Sequence, residues 1–256
     1  MAERAGASWR LPWEPLVLAA LLLAGWELSA RGFGVPEYLL PRPLGIVETM
    51  ATEAGRMLPH LALTLGEALA GFAGGVLLGI IVAFGLASSA FLRRELQPLI
   101  VFSQSMPTAA LAPLLIVWFG LGVAPKALLA LLLVFFPIAA NLTEGLTQVN
   151  PDMLRLLRSY RAGRWQTFVK LRLPHAVSYL VAGMKIAAPL ALIGAVVGEF
   201  VGANRGIGFV ILDAAARLQT VEMLAGIVYV GLTGTALFLA VEALERRLGP
   251  WLAVPQ

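Results

Sequence analysis

Six stretches of this chain are apolar over lengths of about twenty residues, the length a helix needs to cross a hydrocarbon layer about 30 Å thick. Their approximate limits are Pro15 to Ala30, Leu61 to Phe91, Leu99 to Phe119, Ala124 to Leu146, Val177 to Val201 and Val221 to Ala243. Backbone in lipid must satisfy its own hydrogen bonds, and helices do so within one segment. Composition agrees: 59% of residues are hydrophobic, 13% are charged and the mean hydropathy is +0.83, against about half apolar and a quarter charged in soluble domains. The expectation is an all-α polytopic membrane protein with about six transmembrane helices, forming one domain over residues 1–256.

The 19 Lys and Arg outnumber the 15 Asp and Glu, which in a soluble protein would raise nucleic acid as a partner. Here the basic residues collect in loops between apolar runs, where they report topology instead. With the N-terminus inside, the inner segments hold Arg4, Arg10, Arg93, Arg94, Arg155, Arg158, Arg161, Arg164, Lys170, Arg172, Arg246 and Arg247. The outer segments hold half as many: Arg31, Arg42, Arg56, Lys126, Arg205 and Arg217. The positive-inside rule thus favours both termini inside. Arg4 and Arg10 ahead of the Leu16–Gly25 run outline a signal peptide, but Trp26, Glu27 and Leu28 stand where small residues are wanted, so an uncleaved first span is expected. With no cysteine in the chain, disulfides, Cys-ligated zinc and thiol catalysis are excluded.

Glycines recur every fourth residue at Gly71, Gly75 and Gly79 and at Gly194, Gly198 and Gly202, a spacing that lets helix backbones approach closely in lipid. Packing within one chain and a seam between two copies both fit it. Pro107, Pro113 and Pro137 lie inside spans and are expected to kink or loosen them.

The loop of about 148–175 has no stretch able to cross a membrane. It begins as a helix, with Asn150 to cap, Pro151 at the first position and Asp152 to complement the positive end. Met153, Leu156, Leu157 and Tyr160 then recur at helical spacing, with Arg155, Arg158 and Arg161 between them. Ala162 and Gly163 are placed to break that helix, and Trp165, Phe168 and Val169 to restart an amphipathic segment that Pro174 ends. Such a shelf suits either a docking soluble protein or anionic lipid.

Lys185 lies eleven residues beyond Pro174, roughly 16 Å along a helix, so it must snorkel, pair or line a polar cavity. Glu67 and Glu144 are its candidate partners. Glu199 follows near the same helical face, and a pathway lined by both is one reading. Ser103, Gln104, Ser105 and Thr108 form a polar cluster beside Pro107, suited equally to a pathway lining and to helix–helix hydrogen bonds. The segment Asn204, Arg205, Gly206, Ile207, Gly208 lacks the Lys-Ser/Thr ending of a phosphate loop and reads as an external cap or re-entrant helix. His60 and His175 stand apart near membrane edges, without a ligand cluster around them.

Several ordered motifs resemble the permeases of binding-protein-dependent ABC importers. They are Arg164 to Pro174; Gly183, Met184, Lys185, Ile186, Ala187; Gly194 through Ala203; Ser105, Met106, Pro107 through Ala112, Pro113, Leu114; and Val117 through Gly122. The nearest branch is that of nitrate, sulfonate and taurine permeases, with relatives for thiamine-precursor pyrimidines and riboflavin. The resemblance implies a type I importer permease of the bacterial inner membrane, acting as a homodimer. ATP is bound by a partner ATPase, a binding protein delivers substrate outside, and this chain carries no cofactor and no enzymatic activity.

The resemblance also implies that the loop holds a coupling helix. Aligned on Arg164, Trp165, Gln166, Leu173 and Pro174, Arg155 stands at the family's Glu, Leu156 and Leu157 at its two alanines and Arg161 at its Gly. The chain departs from the motif at those positions, and Gly163 is expected to restore the flexibility. Residues expected to couple are Asp152, Arg155, Leu156, Leu157, Arg158, Tyr160, Arg161, Gly163 and Trp165. Those expected along the pathway are Ser103, Gln104, Ser105, Pro107, Lys185 and Glu199. The substrate expected is a small anion, nitrate-, sulfonate- or taurine-like, with a pyrimidine- or riboflavin-like heterocycle as the alternative. A secondary transporter or channel is the competing class.

Overall fold

The computed structural model describes residues 13–104 and 106–252, so Arg4, Arg10 and Ser105 lie outside it. The helices are α1 (Trp13–Gly32), α2 (Pro43–Thr52), α3 (Ala54–Ser88), α4 (Ala90–Gln104), α5 (Ala112–Phe119), α6 (Val123–Thr147), α7 (Pro151–Ser159), α8 (Arg164–Thr167), α9 (Leu173–Gly202), α10 (Ile207–Ala216) and α11 (Thr220–Leu252). Among the described residues, five helical runs are long and apolar enough to cross a membrane: those of α1, α3, α6, α8 to α9, and α11. They coincide with five of the six expected spans.

The core is α6 held between α3 and α9. A Cβ added at Gly75 would lie 2.6 Å from Val134 Cβ, and one at Gly79 2.6 Å from Ile138 Cγ2, both on α6. From the other side, a Cβ at Gly194 would meet Ala130 Cα at 2.6 Å and one at Gly198 would meet Lys126 Cα at 2.9 Å. Rising residue numbers pair with rising numbers between α3 and α6, which are therefore parallel, while α9 runs antiparallel to both. In lipid, where hydrocarbon competes equally for apolar side chains, such close approach supplies the dispersion contacts that hold helices together. The Gly71–Gly79 set and the pair Gly194 and Gly198 are thus used within the chain. Gly202 meets Leu121 and Ile116.

The expected third span is not one helix. α4 ends at Gln104, Pro107 is extended at φ −67° and ψ 102°, a 3₁₀ turn covers Thr108–Leu111, and α5 has only eight residues. Pro107 withholds an amide hydrogen and its ring clashes with the preceding turn, so the span breaks there where a kink was anticipated. Pro113 lies in the first turn of α5, where proline is tolerated, and Pro137 lies inside α6.

Sequence patterning did not anticipate α2. Its Ile46 packs with Met57, Val196, Ile207 and Ala225, and so fastens the N-terminal region to α10 and α11.

The loop after α6 folds as its caps dictate. Asn150 Oδ1 accepts the Asp152 amide at 2.9 Å and Pro151 opens α7. The helix closes in a Schellman turn: the Ala162 amide donates to Leu157 O at 3.0 Å and the Arg161 amide to Arg158 O at 2.9 Å. The residue this turn drives into the left-handed region is Arg161, at φ 56°. Gly163 has an ordinary φ of −68°, so the flexibility assigned to it is instead demanded at Arg161, where the family has Gly.

Pro174 does not end a helix either. A π-helical turn at Phe168–Arg172 leads directly into α9, making one helical run over Arg164–Gly202. Widening the helix just before the proline relieves the clash of its ring with the preceding turn.

Two outcomes follow. Gly75→Leu forces α3 off α6 and costs at least about 2 kcal/mol, read as loss of monodisperse protein after detergent extraction, whereas Gly66→Leu, with nothing within 4 Å of its Cβ position, is tolerated. Arg161→Gly removes the left-handed penalty and stabilises the turn by about 1 kcal/mol, read as about fivefold slower hydrogen exchange at the Ala162 amide.

Candidate functional site

Two polar regions stand at opposite ends of the helix core. At the α7 end the coupling candidates form a surface. Tyr160 and Trp165 are 76% and 75% exposed, and Leu156 is 51% exposed, although all three are large apolar groups. Met153 and Leu157 turn back and are half-buried, so the expected stripe divides between support and display. Asp152 and Arg155 pair at 3.1 Å on the exposed face, an i,i+3 contact that water largely screens. Arg158 and Arg161 are exposed beside them. Trp165 stacks on Phe168 with ring centroids 5.9 Å apart, and the Gly163 amide is held by Gln166 Oε1 at 3.2 Å. All nine coupling candidates therefore lie on α7, its closing turn and the start of α8.

The pathway candidates are not brought together. Ser103 and Gln104 close α4 and Pro107 follows in the break. Lys185 pairs with Glu245 of α11, and neither Glu67 nor Glu144 is its partner. A cation tied to a carboxylate of the same chain offers no free positive charge. Glu199 is 1% exposed and sits near the opposite end of α9. Its carboxylate accepts the Thr64 hydroxyl at 2.6 Å and the Gly208 amide at 2.6 Å, so within this chain it is enclosed and does not front open space.

That enclosure is the second polar region. The first turn of α10 is buried, which strands amide groups that need partners. The Gly206 amide finds His60 Nδ1 at 3.0 Å, the Ile207 amide finds Thr64 Oγ1 at 2.9 Å and the Gly208 amide finds Glu199 Oε2. A carboxylate at the positive end of a helix is also favoured by the dipole. Gly206 is at φ 111°, and a Cβ there would strike the Glu199 carboxylate. These glycines therefore serve a helix start that is capped by the chain's own side chains. Beside it, Lys126 Nζ donates to Glu67 Oε1 at 2.8 Å, with side chains only 10% and 1% exposed.

Sequence reasoning counted Lys126 among loop charges and did not join Thr64, Glu67 and His60 to Glu199. The signal was present: His60, Thr64 and Glu67 follow at intervals of four and three along an apolar helix, which puts them on one face.

Known proteins resemble this chain in sequence. The family described as binding-protein-dependent transport system inner membrane component matches residues 75–250. A probable ABC transporter permease protein of Haemophilus influenzae is 33% identical, over 91% of this chain and 96% of its own length. The formylaminopyrimidine transport permease protein ThiX of Halalkalibacterium halodurans is 36% identical over 93% and 95%. The taurine transport system permease protein TauC of Escherichia coli is 32% identical over 91% and 87%. The chain therefore belongs to the binding-protein-dependent transport system inner membrane components, the permeases of ABC importers, which are not enzymes.

Proposed function

We propose that two copies of this chain form the translocation pathway and that an ATPase docks on α7 and α8 of each. The observation that carries the docking reading is the display of Leu156, Tyr160 and Trp165 among Arg155, Arg158 and Arg161 across the nine-residue α7, its closing turn and the start of α8. Aromatic and arginine side chains are the groups that dominate protein interfaces. Because this face is basic where the family carries a Glu, the ATPase groove that receives it is acidic. The chain itself binds no ATP and contributes conformational change, with α8 and α9 as one continuous lever from the docking surface into the bilayer.

The broken third span supports the second copy. Non-helical backbone at membrane depth has to be covered by protein or to face water. Val117, Trp118 and Leu121, 79%, 66% and 72% exposed, flank this segment and offer the apolar surface for a partner. Ser103, Gln104 and Pro107 then lie at the pathway between copies. The surplus of basic residues at the α7 end supports a cytoplasmic docking surface with both termini inside, and leaves the α10 end to receive the binding protein.

For the substrate, the expectation of an anion leaned on Lys185. Its pairing with Glu245 removes that ground, and the relative named for formylaminopyrimidine is 36% identical. A small pyrimidine-like heterocycle is therefore the preferred class, and a taurine-like sulfonate the second.

Purification of the tagged chain in mild detergent is expected to recover an ATP-binding subunit in equal amount, while the chain alone hydrolyses no ATP. Replacing Arg155, Arg158 and Arg161 together by alanine lowers that recovery by about tenfold or more without reducing the chain's own yield from membranes. Undiminished recovery would remove α7 from the docking surface.

A further inference from the structure

Two hollows meet at the α7 end of the bundle. One, of about 670 Å³, is walled by Phe84, Leu146, Trp165 and Phe168, from the ends of α3 and α6 and from the α8 segment. Its aromatic side is a ladder, with Phe84 and Phe168 centroids 6.0 Å apart and Phe168 and Trp165 5.9 Å apart. The other, of about 450 Å³, lies in the angle between α7 and α8 and holds Arg158, Arg164, Arg172 and Thr167. Arg164, Phe168 and Arg172 line both, so the two lie side by side.

Arg158, Arg164 and Arg172 converge on one hollow, and none of them forms an ion pair with an acidic side chain among the described residues. Gathering three like charges is unfavourable unless an anion neutralises them. Guanidinium groups match phosphate in shape and in hydrogen bonding. A soluble phosphate, or an acidic side chain of a partner, would use the arginines and leave the adjoining apolar hollow unfilled. That hollow opens beside the ends of two membrane-crossing helices, α3 and α6.

We propose that the two hollows hold an anionic phospholipid, with its phosphate among Arg158, Arg164 and Arg172 and its acyl chains against Phe84, Leu146 and Phe168. The lipid stays at the elbow between the docking surface and α9, where its charge offsets the arginines and its chains fill the gap between α3, α6 and the π-helical turn. The site shares Arg158 and Trp165 with the docking surface, while Arg164, Arg172, Phe84 and Leu146 belong to the hollows alone, and lipid binding there requires no ATPase.

The test uses the full-length chain in detergent with no ATPase present, so its outcome is separate from that of the docking experiment. Phosphatidylglycerol and phosphatidylcholine with brominated acyl chains serve as probes, because bromine quenches nearby indole fluorescence, and comparison with Trp165→Phe isolates the Trp165 signal. Phosphatidylglycerol is expected to quench Trp165 at about tenfold lower concentration than phosphatidylcholine. The pair Arg164→Ala and Arg172→Ala abolishes that preference, whereas Arg164→Lys with Arg172→Lys retains most of it and shows that the fold is intact. Equal quenching by the two lipids overturns the proposal and leaves the arginines to an acidic protein surface. Persistence of the preference in the alanine pair also overturns it, as does its loss on adding excess glycerol phosphate, which would assign the arginines to a soluble anion.

Discussion

Backbone contact across α6 is the constraint on which the other helices depend. In hydrocarbon no water drives apolar faces together, so cohesion comes from dispersion at short range and from buried polar pairs. Glycines at 75 and 79 on one neighbour and at 194 and 198 on the other let α3 and α9 settle directly on α6. Ala130, Val134 and Ile138, each fully buried, present the small and β-branched groups that fill the remaining space. The consequence is a three-helix wedge whose geometry is set by closest approach, so that elements attached to its ends are positioned with it.

The two ends of the wedge are treated in opposite ways. At the α10 end the buried polar groups are held by the chain itself: Lys126 pairs with Glu67, and Glu199 accepts from a hydroxyl and a helix amide. Removing one member of such a buried set strands the others and costs about 3–5 kcal/mol, so this end behaves as a latch that fixes α10 against α3 and α9. At the α7 end the arginines face outward or into open hollows, and large apolar groups remain uncovered. The proposed lipid and ATPase would together cover that surface.

The helical run Arg164–Gly202 joins these ends. At 1.5 Å per residue it is about 58 Å long, enough to reach from the exposed α7 surface through a hydrocarbon layer about 30 Å thick. Pro174 would ordinarily have interrupted it, and the π-helical turn preserves continuity there. A continuous helical run between the proposed docking surface and the capped α10 end is an arrangement suited to a permease whose energy is supplied by another subunit. The third span supplies the opposite property, a break in the backbone at the face where the pathway is proposed.

What the sequence determined by itself was set by solvent and by local chemistry. Apolar length specified six spans, five of which are single membrane-crossing helices, Asn150 and Pro151 specified the start of α7, and the ordered motifs around Arg164, Gly183 and Gly194 pointed to the family. These depend on near neighbours along the chain, and they are legible for that reason. The tertiary structure alone decided whether the glycine rows serve the chain's own core, which acid pairs with Lys185, and that Glu199 caps α10. It also decided that Arg161 is the residue held left-handed and that the third span breaks at Pro107. Each of these is a choice among partners distant in sequence, made by which side chains the packing of α6 brings within hydrogen-bonding reach.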